Sequence, residues 1–193
     1  MKKTIFIDGS FFTNETSYTT ALMNEFHEAL GKPERINLTD SVFNRAPLSQ
    51  SNIATYWGEV DGPGWINKLK ETDLLVLSST VVNFTVPSLV KNFIDAISIA
   101  DLSFSYKLST DGNPVGLLKN LNVILVTSQG GPQQPGVDSI QVKWLRSVFN
   151  FLGAKSVNFI EVNGTKMPDL INGDTAKYAK TRVDEFKKLV DSL

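Results

Sequence analysis

Cysteine is absent from the 193 residues. That excludes disulfide scaffolds, thiolate metal sites and cysteine nucleophiles, and it fits a reducing compartment, so a cytoplasmic location is expected. Histidine occurs once, at His27 beside Phe26 on a helical segment, where it reads as a solvent-facing structural residue. With Gly-x-Ser-x-Gly missing as well, a Ser-His-Asp hydrolase has no motif to rest on. No His/Asp/Glu grouping has ligand spacing, so no metal site is expected. A charge excess is also lacking: 19 basic against 20 acidic residues leave a net charge of −1. There is no Lys/Arg cluster and no basic-aromatic stripe, so nucleic acid is not an expected partner. No apolar run is long enough to span a membrane, and Thr4-Ile5-Phe6-Ile7 is too short for a signal peptide; it reads as a first strand. Two nucleotide signatures are missing, Gly-x-x-x-x-Gly-Lys-Ser/Thr and Gly-x-Gly-x-x-Gly. A mononucleotide phosphate stays open.

What is present is a composition of 41% hydrophobic and 20% charged residues, which suits one globular domain over 1–193 with a two-sided core. Apolar runs alternate with helical periodicity. Strands are predicted at Thr4 to Ile7, Arg35 to Leu38, Leu74 to Leu77, Asn122 to Thr127 and Ser156 to Val162. Helices are predicted after the first strand up to Gly31-Lys32-Pro33, then at Trp65 to Lys70, Ser88 to about Ala100, Ser139 to Leu152 and Thr175 to Leu193. The stretch from Thr39 to Gly64 reads as irregular. Five strands alternating with five helices argue for an α/β fold, a doubly wound five-stranded parallel sheet in the order 2-1-3-4-5 with helices on both faces.

In such a sheet the loops at the carboxyl ends of strands one, three and four converge on a ligand. The first, Asp8 to Thr20, is crowded with hydroxyls, among them Ser10, Thr13, Thr16, Ser17 and Tyr18. It precedes a helix whose first N–H groups and dipole favour an anion, although Ser and Thr also cap helices without any ligand. The second runs from Ser78 through Asn83-Phe84 into a helix at Pro87, a usual residue at a helix start. The third, Thr127 to Gly136, carries Gly130-Gly131, where missing side chains let backbone approach a flat ligand. A surface turn would look the same. Lys91 and Asp95, four apart, read as an exposed ion pair or an interface contact. Trp57, Trp65, Trp144 and Phe149 read as core, or as the lining of a cleft between subunits.

The ordered set Asn83-Phe84, Pro87, Leu89, Lys91-Asn92-Phe93-Ile94-Asp95, Phe104-Ser105-Tyr106, Gly112, Pro114, Gly116-Leu117-Leu118 and Thr127-Ser128-Gln129-Gly130-Gly131 resembles the FMN-dependent NADH-azoreductases. These are flavodoxin-like NAD(P)H:quinone oxidoreductases, and the resemblance is strongest from Asp73 to Gly131. It implies a homodimer with one FMN at each subunit interface, NADH or NADPH as electron donor, and a quinone or azo compound as acceptor. By the same resemblance, Ser10 and Thr16-Ser17-Tyr18 hold the phosphate, with Tyr18 standing where a serine is common. Val81, Val82, Asn83 and Phe84 run along the flavin ring, with Val81-Val82 in place of the usual Met-Tyr. Ser128, Gln129, Gly130 and Gly131 form the second ring loop, with Gln129 where an arginine is frequent. Tyr106 and Phe151 line the substrate face. No side-chain nucleophile is needed, since the flavin N5 takes the hydride. Two alternatives stay open. One is a flavodoxin-like electron carrier, which the near-neutral charge disfavours because carriers dock through a strongly charged face. The other is a phosphoester hydrolase, after the acyl-carrier-protein phosphodiesterase label some relatives have carried.

Overall fold

The longest aliphatic runs become the innermost strands. In the computed structural model, which describes residues 2–12, 15–134 and 136–193, every residue of Leu74–Thr80 is buried, as are seven of the eight in Asn122–Gln129. Continuous burial is what a parallel strand covered on both faces requires. In chain order the elements are β1 (Thr4–Asp8), α1 (Tyr18–Ala29), β2 (Glu34–Asn37), α2 (Tyr56–Glu59), α3 (Gly62–Lys70), β3 (Leu74–Thr80), α4 (Ser88–Ile97), β4 (Phe104–Ser105), β5 (Val115–Gly116), β6 (Asn122–Gln129), α5 (Ile140–Phe151), β7 (Ser156–Asn163), α6 (Thr175–Thr181) and α7 (Val183–Asp191). The parallel sheet runs β2-β1-β3-β6-β7, while β4 and β5 pair antiparallel in a separate small sheet. Among the described residues no helix is long and apolar enough to cross a membrane.

Because side chains alternate across a strand, each strand feeds two cores. One face sends Ile5, Ile7, Leu75, Leu77, Val123 and Leu125 against Val90 and Phe93 of α4 and Leu145 and Phe149 of α5. The other sends Phe6, Val76, Ile124 and Val126 against Leu22 and Phe26 of α1, Ala179 of α6 and Phe186 of α7. Phe26 and Phe186 stack with centroids 4.2 Å apart. Burying a side chain of that size stabilises by roughly 1.5–3 kcal/mol, which is how three helices are held to one face.

The structure departs from the sequence reading in four places. The stretch 39–64 is not irregular throughout. Two 3₁₀ turns, Leu38–Asp40 and Val42–Asn44, lead towards α2, and fully buried Phe43 and Tyr56 anchor it. Asn92 of α4 joins both, donating Nδ2 to Phe43 O at 2.8 Å and accepting Tyr56 Oη on its carbonyl at 3.0 Å; isolated buried aromatics like these leave no period to read. The β4/β5 pair is too short for an alternation signal. Its placement depends on two glycines: a Cβ on Gly116 would lie 2.2 Å from Gly153 N, and one on Gly153 2.6 Å from Gly116 C. The last helix is two helices, meeting at Arg182, whose guanidinium donates to Glu185 Oε2, Tyr178 Oη and Glu161 O. Finally, α4 stops at Ile97, short of Ala100. Besides these, His27 is half-buried rather than solvent-facing, its Nε2 2.7 Å from Pro33 O and its ring edge-on to Phe6. Phe149 is core, and Trp57, Trp65 and Trp144 pack partly buried against it.

Candidate active site

β1, β3 and β6 end at Asp8, Thr80 and Gln129 on one edge of the sheet. Beside α1 they frame a cavity of about 590 Å³. Of the residues proposed from sequence, Thr16, Ser17 and Tyr18 line it from the first loop, Val81 from the second, and Ser128, Gln129 and Gly130 from the third. Thr13, Asn14 and Pro135, which belong to the first and third loops, lie outside the described residues.

Ser17 is the N-cap of α1, its Oγ accepting from Thr20 N at 3.2 Å. The first-turn N–H groups of a helix have no intrahelical partner, so they and the dipole present a positive end to the cavity. The opposite wall is held by Ser128, whose Oγ is 2.6 Å from Thr19 Oγ1. Its carbonyl accepts from Val81 N at 2.9 Å and from Gln141 Nε2 at 3.2 Å. Gln141 is buried and accepts Ser79 Oγ at 3.1 Å. A satisfied buried network of this kind fixes the relative positions of all three loops.

Tyr18 contributes to the wall without a free hydroxyl. Its ring is buried edge-on to Tyr178, and its hydroxyl donates to Leu170 O at 2.7 Å. Burial first, then the charges of Tyr178 and Asp174, push its phenol above the ordinary value, so it stays protonated and bound to Leu170. The ring needs Gly173, where a Cβ would lie 2.2 Å from Tyr18 Oη.

Other proposed residues lie elsewhere. Ser10 is buried, bonded to the backbone of Phe12, in a second cavity with Asp8 and Arg35. Val82 and Thr85 exchange backbone hydrogen bonds across a turn whose central residues, Asn83 (φ 48°) and Phe84 (φ 70°), are both left-handed. Phe84 is 80% exposed. A bulky residue held at positive φ stores strain of about 1–2 kcal/mol, a feature that clusters at binding surfaces. Tyr106 and Phe151 flank Phe104, with centroids 5.6 and 4.7 Å from it, and both are exposed. Neither these aromatics nor Val82, Asn83, Phe84 and Gly131 line the cavity. Gln129 points its amide into its own turn, donating to Gly131 O, Pro132 O and Gln133 Oε1.

The sequence reading overlooked a fourth loop. Thr165, Lys166, Ile171, Asn172 and Gly173, after β7, complete the wall with Phe12 and Thr80. The loop is tied to the third by Gly164 N to Gly131 O at 2.7 Å, Thr165 N to Gln129 O at 3.1 Å and Lys166 N to Gly130 O at 3.0 Å. The signal was available, since β7 ends on the same sheet edge and Gly164 and Gly173 bracket the segment.

The cavity suits a ligand with an anionic end and a flat polar end. The positive helix end serves the first. For the second, the Gly130 backbone lines the wall, and Thr80 stands on it with a buried Oγ1 that makes no hydrogen bond. An unpartnered buried hydroxyl is expected to have a role. An FMN therefore fits the residues present.

A family model described as flavodoxin-like fold matches residues 2–185. A relative from Mycoplasmopsis synoviae named FMN-dependent NADH:quinone oxidoreductase is 36% identical over 173 residues, covering 86% of this chain and 87% of its own. One of the same name from Malacoplasma penetrans is 31% identical, covering 98% of this chain and 91% of its own. Among solved structures, an FMN-dependent NADH-azoreductase from Bacillus anthracis in complex with FMN superposes with TM-score 0.75 at 23% identity, covering 96% of this chain and 98% of that one. The family match over nearly the whole chain and these relatives, together with five parallel strands and loops gathered round one cavity at the carboxyl edge, place this chain in the flavodoxin-like family of FMN-dependent NADH:quinone oxidoreductases.

Proposed function

We propose that this chain binds FMN in the cavity between α1 and the Gly130 turn and oxidises NADH or NADPH, passing the electrons to a quinone or azo compound in ping-pong order. The observation that carries this reading is the cavity itself, preformed and of mixed polar and apolar lining, with a helix N-terminus on one side and the Gly130 backbone on the other. When bound, FMN supplies a ring that accepts a hydride from reduced nicotinamide and yields two electrons to an acceptor.

The residues have distinct parts to play. Ser17 and the first N–H groups of α1 hold the phosphate. Val81 and Ser128 flank the ring, and the backbone at Gly130 gives an N–H donor to its polar edge, in the manner of an oxyanion hole. Tyr18 shapes the phosphate end through its backbone, its hydroxyl being engaged with Leu170.

Asn83, Phe84, Tyr106 and Phe151 belong in this proposal to an open substrate face completed by a second copy of the chain. Phe84, Tyr106 and Phe151 are exposed, and Tyr106 and Phe151 both pack on Phe104, apolar surface of the kind a second copy would cover.

The test is the visible spectrum of the protein reconstituted with FMN, before and after anaerobic NADH. A bound flavin that bleaches with NADH and recovers with a quinone supports the proposal. Failure to bind at micromolar FMN overturns it.

A further inference from the structure

The cavity wall holds a single charged side chain among the described residues, Lys166. Its backbone is pinned by the hydrogen bonds that tie the fourth loop to the third. Its stem lies on Gly130, where a Cβ would come within 3.0 Å of Lys166 Cγ, so the missing side chain at 130 makes room for the lysine. The same loop ends with Gly173 against the Tyr18 hydroxyl. This loop therefore runs along the wall from the Gly130 turn, where Lys166 lies, to Tyr18, the first residue of α1. The α1 end already has backbone donors and a dipole for a phosphate. The Gly130 end has Lys166 as its charge, and the neutral Gln129 amide is spent on its own turn.

We infer that Lys166 sets the reduction potential of the flavin by placing its ammonium at the ring end of the cavity; this rests on the FMN reading above. A hydride brings two electrons and one proton, so an uncharged oxidised ring gains one negative charge when it accepts one. A cation at that end stabilises the reduced ring more than the oxidised one, and so raises the potential. A cation at the phosphate would act equally on both and leave the potential alone.

The experiment compares wild type, Lys166→Met and Lys166→Arg, each titrated with FMN and with riboflavin, which lacks the phosphate, followed by spectroelectrochemical measurement of the midpoint potential of bound FMN. Lys166→Met is expected to weaken binding of reduced relative to oxidised flavin about tenfold, lowering the potential by ~30 mV for a two-electron couple. Lys166→Arg keeps the charge and should follow wild type. Affinities for oxidised FMN and riboflavin should change by the same factor. An unchanged potential in Lys166→Met, or a loss confined to FMN, overturns the inference while leaving the FMN reading intact. A wild type that binds neither flavin overturns the FMN reading, and the inference falls with it.

Discussion

The cavity wall and the aromatic turn lie within a few residues of each other along the chain, yet they are built on opposite terms. From Thr80 and Val81 back to Ser128 the backbone is tied into a buried network of Ser79, Gln141 and Thr19. Two residues later the chain enters a turn with Asn83 and Phe84 both at positive φ and the Phe84 ring in solvent. The first region is stabilised by its own chain. The second holds strain and exposed apolar surface without recovering either from within the subunit. Preorganisation on the cofactor side, combined with an unfinished apolar side, is the division expected of a site whose second half comes from another copy.

That contrast can be broken most forcefully at Phe84. Phe84→Asp puts a charge on the proposed contact, and sedimentation should show a mass halved to that of one chain, with kcat/KM falling ~100-fold, a loss of about 2.7 kcal/mol. A monomeric wild type would end the comparison. On the cavity side, Ser17→Ala should weaken FMN about tenfold more than riboflavin and lower stability by ~1 kcal/mol, the usual contribution of an N-cap; calorimetry and denaturant titration measure the two. Gly173→Ala should displace the Tyr18 hydroxyl from Leu170 O and destabilise by about 1–3 kcal/mol, the range for a buried group left unpaired, read from a chemical melt. Phe84→Gly sharpens the strain argument, because it should stabilise an isolated subunit by ~1 kcal/mol while weakening its self-association.

The smallest effect is a pH dependence on the outermost strand of the sheet. Glu161 on β7 has its carboxyl pushed above the ordinary value by burial and then by Asp138, against the opposing pull of Arg146 and Asn163, and its Oε1 has no partner. The folded state therefore holds that proton more tightly than the unfolded one. The stability it gives is full below the unfolded pKa and is lost as pH rises through the folded pKa. Glu161→Gln should flatten that part of the stability-pH curve and leave the protein more stable at neutral pH, as urea melts across the acidic range would show.

Long aliphatic runs made the strands legible, and with them the sheet edge on which Ser17, Val81 and Ser128 gather. Features set by single residues were not. Arg182 divides the last helix through hydrogen bonds to Tyr178, Glu161 and Glu185 that no apolar stripe encodes. The loop at 164–173 carries no apolar run, its signal being only its place after β7 and its bracketing glycines, and Lys166 gains its position through backbone pairing with Gly130. Tyr18 sits where the sequence puts it, but its hydroxyl bond to Leu170 spans 152 positions, and contacts at that separation leave no local trace. Phe84, Tyr106 and Phe151 were legible as residues of interest, but their exposure is set by the folded chain and not by any local pattern.

Gly116 and Gly153 lie backbone against backbone, one ending the small sheet and the other following α5. Two positions that each exclude a side chain because of the other form a lock with no intermediate. Gly153 is additionally held at φ 90°, so restoring one glycine does not relieve a substitution at the other. Neutral drift in descendants of this chain would thus avoid both sites, and a lineage that lost either glycine would have to re-site the whole 104–116 segment, and Tyr106 with it, rather than accommodate a methyl group.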